Sequence, residues 1–439
     1  MANTSAIQET YTDNGYDLLR LEVSSNSGGD PFDLKDVFLE IAIYESVFDD
    51  KMYGEILIKD ALNLGETIPL VGNEKIYIEY KTKNTKNKPV SISGHIVAPM
   101  GKARAEGEKV EIYKLQFISE VQFANRFRRI ASSYSGEITT IAAKIFADNF
   151  KEEYLKNFFF NEMTTTKHKF VIPYWSPLFT LSWLAQRAYS ATPSYFIFYE
   201  DVDGFHFKNL LKAIDEDPVM NYNVEPKSGG NLGNVNSYMS KVQDYSVTSF
   251  FDRLEEQAGG MYSSALLTHD ITKKTYVPYQ YDYKSGFAKS NHLNRYPLYP
   301  EQSQMADVMF KSNVCFRNLL PVQTKRFERI EDNEKLENYF LDRNSMQKQF
   351  TTFRVTITVP GISTLRLLDT VYFRIPRIGY MDENRTDWED PYLTGKYLVM
   401  SIRTVINKLS GYRTTIEMSK DSLIKGIPDK FEKKSLNVL

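Results

Sequence analysis

The chain has 439 residues, with 54 Lys and Arg against 56 Asp and Glu, and 14% of its residues are aromatic. A formal net charge of −2 argues against a protein whose task is to grip nucleic acid, because neutralising phosphates takes a basic surplus. The one cysteine, Cys315, excludes an internal disulfide and fits assembly in a reducing cytoplasm, and no apolar run approaches the ~20 residues that span a bilayer.

The length exceeds one ordinary core and predicts three or four domains. The opening MANTSAIQETYTDNGYD lacks a basic n-region followed by an apolar core, so no signal peptide is expected. Residues 1–30 are read as an N-terminal arm that closes in the Ser/Gly/Pro-rich SSNSGGDPF. From Leu39 to Tyr80 three runs alternate with a period of two. Leu39, Ile41, Ile43 and Val47 share one face; Ile56 and Ile58 alternate with Glu55, Leu57 and Lys59; Ile76, Ile78 and Tyr80 alternate with Tyr77 and Glu79. SISGHIVAPM and VEIYKLQFISE continue the pattern, which predicts half-buried antiparallel strands over residues 31–121, enough for a sandwich or small barrel.

Residues 122–211 change period. GEITTIAAKIFADNF places Ile138, Ile141, Ile145 and Phe146 on one helical face. SPLFTLSWLAQRAY predicts a second helix, with Ser176 as N-cap and Pro177 in the first turn. Between them stand Phe158 to Phe160 and a strand KFVIPYW; YFIFYEDVDGFHF reads as a hairpin turning at Asp201–Gly204. This is a mixed α/β accessory domain. SVTSFFDRLEEQAGG predicts a short helix ended by Gly259 and Gly260, and MYSSALLTHDITKKTYVPYQYDY another hairpin, within an inserted domain at 251–344. FRVTITV, VYFRI, GKYLVMSIRTVI and YRTTIEMSKDS are strands of a second β unit, discontinuous over 212–250 and 345–423. A charged tail, 424–439, follows. The fold class is α+β, mainly antiparallel β.

The two β units correspond in order. IPLVGNE before IYIEY matches LRLLDT before VYFRI; Gly94 and Gly395 each open the next strand, and Ser119 and Ser419 close the last. Duplication and convergent β patterning both account for this.

No pattern signals catalysis. His95, His168, His206, His269 and His292 never form HxxxH or HExxH. Cys315 fits a small buried hydrophobe better than a nucleophile. Asp201 and Asp203 fit a hairpin turn better than a calcium loop. The group Asp387, Glu389 and Asp390 fits a solvated contact loop better than a carboxylate pair, and Gly229, Gly230 and Gly233 fit a linker better than a phosphate loop. No cofactor or metal site is expected, and an enzyme is not.

IYESVFDDKMYGEILIKDALNLGETIPLVGNEKIYIEY resembles the N-terminal signature of baseplate hub proteins of contractile-tailed bacteriophages. The likeness continues in order through YKLQFISEVQFANRFRRIASSYSGEI, VIPYWSPLFTLSWLAQRAYS, YFIFYEDVDGFHF and the closing YRTTIEMSKDSL, covering most of Leu39 to Leu423. The resemblance implies two similar tube-type β-barrel domains with α/β accessory domains. It implies a homotrimer whose six barrels form a pseudo-sixfold ring. That ring would join a hexameric tail tube to a trimeric cell-puncturing spike, with baseplate wedge proteins around it and DNA passing through its lumen. Such a protein belongs at the centre of the virion's tail baseplate, assembles in the host cytoplasm and inserts in no membrane. It favours duplication of the β units.

Two other classes compete with the hub. One is a peptidoglycan hydrolase using carboxylates such as Asp201, Asp387 or Glu389. The other is the spike protein of type VI secretion systems, which the lack of a shaft after the second β unit disfavours. A ring of barrels needs interfaces well over ~2,000 Å² and edge strands that pair between subunits. The expected contacts are the Ile56, Ile58 and Lys59 run, taken as an edge, and the loop carrying Leu62, Leu64, Val71, Asn73 and Glu74.

Overall fold

The computed structural model describes residues 15–26, 28–61, 64, 70–83, 85–104, 110–190, 194–224, 239–270, 274–298, 317–321, 339–377 and 389–427. The alternating runs of the first third become β1 (Tyr16–Ser24), β2 (Phe32–Asp33), β3 (Phe38–Ser46), β4 (Tyr53–Asp60), β5 (Lys75–Thr82), β6 (Val90–Arg104) and β7 (Glu111–Ser119), paired antiparallel in the order β3-β4-β7-β6-β5-β1-β2. Their inward residues, among them Ile41, Ile56, Ile76, Ile96 and Phe117, are fully buried in one core. At about 25 cal/mol per Å² of apolar surface, each such side chain contributes roughly 1.5–3 kcal/mol. Gly54 is what lets the Phe117 ring lie flat on β4: a Cβ there would meet the ring at 2.2 Å.

Part of the expected arm is sheet. Leu18–Ser24 carries its own alternation, with Leu21 and Val23 buried, and β1 pairs with β5 from Tyr16↔Thr82 to Ser24↔Lys75.

The α/β unit holds α1 (Glu120–Arg126), β8 (Ser133–Glu137), α2 (Ile138–Asn149), α3 (Glu152–Leu155), β9 (Phe158–Phe160), β10 (Lys167–Val171), α4 (Pro177–Ala185), β11 (Phe196–Asp201), β12 (Gly204–Asn209) and α5 (Leu210–Ile214). α2 and α4 pack on the three-stranded sheet β11-β12-β9 over a phenylalanine-rich core. Phe158 points into that core, while Phe159 points out and stacks on His206 at 5.0 Å, as a strand's period of two requires. Ser176 does sit at the N-cap of α4 but its side chain caps nothing; Asn125 Oδ1, from α1, accepts the hydrogen bond of Leu178 N–H at 3.1 Å.

The remainder gives β13 (Met220–Asn223), β14 (Asp244–Ser249), α6 (Arg253–Ala258), β15 (Ser263–Asp270), β16 (Thr275–Asp282), α7 (Tyr283–Phe287), β17 (Arg317–Pro321), α8 (Phe340–Thr352), β18 (Arg354–Pro360), β19 (Thr370–Arg374), β20 (Gly395–Asn407) and β21 (Gly411–Ser419). The expected helix beginning at Ser246 is shorter: its first half is β14, and α6 starts only after Asp252, whose side chain accepts from Glu255 N–H. Cys315, Gly229, Gly230 and Gly233 lie outside the described residues.

The second β unit is ordered β14-β18-β21-β20-β19. This repeats β3-β4-β7-β6-β5 strand for strand. The turn before the third strand is repeated too. Asn73 and Leu368 both take a left-handed backbone, φ 78 and 67, which non-glycine residues adopt only when their surroundings hold them there. Asn73 N–H donates to Ile96 O and Ile96 N–H to Glu74 O; Leu368 N–H donates to Val399 O and Val399 N–H to Asp369 O. Glu74 accepts from Val71 N–H at 2.8 Å, and Asp369 from Arg366 N–H at 2.8 Å.

The units are joined edge to edge. β20 is longer than its partner β19, and its far half pairs antiparallel with β3 from Ser401↔Ser46 to Asn407↔Glu40, making one 13-stranded sheet. Among the described residues no ladder closes either unit into a barrel; the hydrogen bonding runs on from one unit into the next.

Candidate assembly surfaces

Alternation along the eight strands from β14 to β6 puts most of the apolar side chains on the core side and gives the other face many hydroxyls and charges of both signs. One row across it runs Ser246, Thr356, Glu417, Ser401, Ser46. Ser401 Oγ–H donates to Ser46 Oγ at 3.1 Å, and Asn407 donates to Glu40 at 2.9 Å. Two ion pairs lie on this face, Arg354 with Glu417 at 3.0 Å and Lys114 with Glu55 at 3.1 Å. At the joint between the units lies a shallow groove of about 290 Å³, where Tyr44 stacks on Tyr53 at 4.9 Å and the Arg403 guanidinium lies 5.6 Å over Tyr44.

Among the described residues β14 and the far part of β6 have a partner on one side only, as do β2, β13 and the first half of β1 elsewhere in the sheet. β14 pairs with β18 alone, and its residues from Asp244 to Thr248 are exposed. β6 is paired with β5 only as far as His95, so Ala98–Arg104 is bonded to β7 alone.

The residues expected from sequence as contacts divide between core and surface. β4 is not an edge: it is paired with β3 on one side and β7 on the other, and Ile56 and Ile58 are wholly buried in the core. Periodicity identified the buried face correctly but carries no information on which strand lies beside which. Lys59 is exposed. Leu62 lies outside the described residues, and Leu64 is buried, its N–H donating to Asp60 at 2.8 Å. Glu74 is buried and binds the turn's own N–H groups, whereas Val71, 79% exposed, and Asn73 stand on the surface.

The carboxylates and histidines singled out earlier are spread across the molecule. Asp201 Oδ1 accepts from Asp203 N–H and Gly204 N–H, building the expected turn, and lies 2.8 Å from His206. Asp203 is bound by Arg366, from the turn before β19, at 2.5 and 3.0 Å. Glu389 bridges to Arg374 at 3.7 Å, Asp390 caps Tyr392 and Leu393 N–H, and Asp387 lies outside the described residues. His95 stacks on Phe123, His168 contacts Thr166, His269 pairs along β15 with Tyr276, and His292 sits 2.7 Å from Asp421. Among the described residues no three His, Cys, Asp or Glu gather as metal ligands.

What sequence reasoning missed is a buried acidic junction. The tip of the β11–β12 hairpin inserts between the first β unit and the turn before β19. There Glu45, from β3, accepts from Val202 N–H at 2.9 Å, and Glu200 accepts from Met52 N–H at 2.9 Å. Burial, and then the nearby Asp201 carboxylate, push Glu45 up to about 8; burial pushes Glu200 up to about 8 against the hydrogen bonds it accepts. Both therefore hold a proton at neutral pH. The only sign in the sequence is Glu45 falling on the apolar side of β3, in phase with Ile41 and Ile43.

No protein-family model matches this chain, and no curated protein does. Among solved structures, the tail protein from Neisseria meningitidis MC58 is similar over 93% of this chain and 97% of its own, at 11% identity and a TM-score of 0.54. The 43 kDa tail protein of prophage MuSo2 from Shewanella oneidensis is similar over 92% and 99%, at 11% identity and a TM-score of 0.52. At this identity the likeness is one of fold, and the fold extends over nearly the whole of each chain. It is the fold of tail proteins, in line with the hub resemblance read from the sequence.

Proposed function

We propose that the chain is a structural hub subunit of a contractile phage tail. Three copies close a pseudo-sixfold ring that joins a hexameric tail tube to a trimeric cell-puncturing spike and leaves a channel for DNA. One observation carries this. Inside the chain the far half of β20 pairs with β3; by the repeat, β6 is the counterpart of β20 and β14 the counterpart of β3, and among the described residues the far part of β6 and the whole of β14 are each paired on one side only. The same joint made between copies, β6 of one onto β14 of the next, is a head-to-tail contact, which forms a ring when its rotation closes. Three chains then supply six like joints, and these two open edges, otherwise a liability, are covered.

In such a ring each β unit becomes a tube-type barrel wall, and the hydroxyl-rich face, with charges of both signs, lines the channel. A surface whose bases are interspersed with acids holds DNA less tightly than a basic one and favours sliding. The fold shared with tail proteins supports a virion location, with spike, tube and wedge proteins as neighbours, and a role of adapting symmetry rather than of catalysis.

Native mass spectrometry and negative-stain imaging of the purified protein test the reading. A trimer with a central hole is expected. A monomer that forms no ring, even when mixed with a spike subunit, overturns it. Ser246→Lys/Thr248→Lys, which charges the outward side of the exposed edge β14, is expected to give folded monomers; unaltered trimers would remove β14 from the joint.

A further inference from the structure

The α/β unit carries a surface that neither sheet uses. Residues 122–131 and 167–188 together hold six cations, Arg126, Arg128, Arg129, Lys167, Lys169 and Arg187, and no Asp or Glu, in a chain where acids outnumber bases 56 to 54. These segments are pinned to each other: Asn125 caps α4 through Leu178, and Ile130 N–H donates to Trp175 O at 2.8 Å. The nearest carboxylate in register is Glu137, opposite Lys167 across β8 and β10.

On this cationic ridge stand large apolar side chains in water. Phe127 is 75% exposed, Tyr174 71%, Val171 70% and Phe179 50%. Their neighbours are held in fixed orientations: Trp175 meets Phe179 edge-on at 5.2 Å and Trp183 at 5.4 Å, and the Arg187 guanidinium covers one face of Trp183 at 3.9 Å. Tyr174 takes φ 57, a left-handed conformation that a bulky residue adopts only against a steric cost. That cost turns its ring outward, where it packs on nothing in the core.

We infer that this ridge docks an acidic protein segment bearing apolar side chains. Charge complementarity selects the sign of the partner. Exposed aromatics interleaved with Arg are the composition of interface anchors, and rings already fixed by stacking lose little freedom on binding. Nucleic acid is the competing occupant, since bases stack on open ring faces; Arg187 already covers a Trp183 face and Trp175 is engaged edge-on, which leaves that stacking to Phe127, Tyr174 and Phe179. The inference goes beyond the ring and stands without it, since no ridge residue lies in β6 or β14.

Fluorescence anisotropy on the full chain tests it, with a labelled peptide of repeating Asp-Leu-Glu-Phe as probe. The comparison probes are its Lys-Leu-Lys-Phe counterpart, a single-stranded oligodeoxynucleotide and phosphatidylserine vesicles. The acidic peptide is expected to bind, more weakly as salt rises. Arg126→Glu/Arg128→Glu and, separately, Phe127→Ser/Tyr174→Ser should each weaken it at least about tenfold, the scale of losing interface anchors. All four side chains are exposed, so circular dichroism and melting should match the parent. Four results would overturn the inference: no saturable binding of the acidic peptide, equal binding of the basic one, tighter binding of oligonucleotide or vesicles, or undiminished binding by both variants.

Discussion

Glu45→Gln isolates the acidic junction. Glu45 is 6% exposed and is pushed from 4.5 to about 8, first by burial and then by Asp201. Its native state therefore keeps a proton that the unfolded chain gives up above pH 4.5. Wherever the native state holds more protons, stability falls as pH rises. The favourable contribution is complete below pH 4.5 and is lost as pH climbs through about 8. At 1.36 kcal/mol per pKa unit the window is worth about 5 kcal/mol, as an order of magnitude. Glutamine keeps the oxygen that accepts from Val202 N–H and removes the titration. Thermal melts of parent and variant should coincide near pH 5 and diverge above it, with the variant more stable by about 5 °C at pH 8.5. Glu200 and Asp369, which burial also raises, leave the variant a smaller slope of the same sign. Parallel curves across the range would refute the argument that Glu45 is folded in its neutral form.

Ile58→Ala should destabilise the first β unit by roughly 2–5 kcal/mol in urea melts, while Lys59→Glu stays within about 0.5 kcal/mol; equal effects would mean that β4 is not the internal strand described. Asn73→Gly, which frees a left-handed backbone position, should raise the melting temperature slightly, by an amount on the scale of about 1 kcal/mol. A fall in melting temperature would show that the Asn73 side chain contributes more than its backbone strain costs.

The alternating runs disclosed the strands and the 3.6-residue pattern disclosed α2 and α4, while the matched turns left duplication and convergence open until the strand order showed the repeat. What stayed hidden is information that no single segment contains. That β4 is flanked on both sides depends on β7 returning from 50 residues downstream. Glu45 becomes neutral only because a distant hairpin closes over it. The cap of α4 was expected from its own Ser176 and came from Asn125 in another helix. The cationic ridge was present in FRR and PYW, but exposed aromatics look like core residues until the fold places them.

The joint between β3 and β20 also sets a clock on folding. During synthesis the outer edge of β3 waits for a strand some 360 residues later in the chain, and at about 5–20 residues per second that interval lasts on the order of 20–70 s. Throughout it the nascent first unit shows Ile41–Ser46 as an open strand to every neighbour on the polysome. Yield in cells should therefore depend more on chaperones that shield emerging strands, and on translation rate, than on the stability of the finished protein.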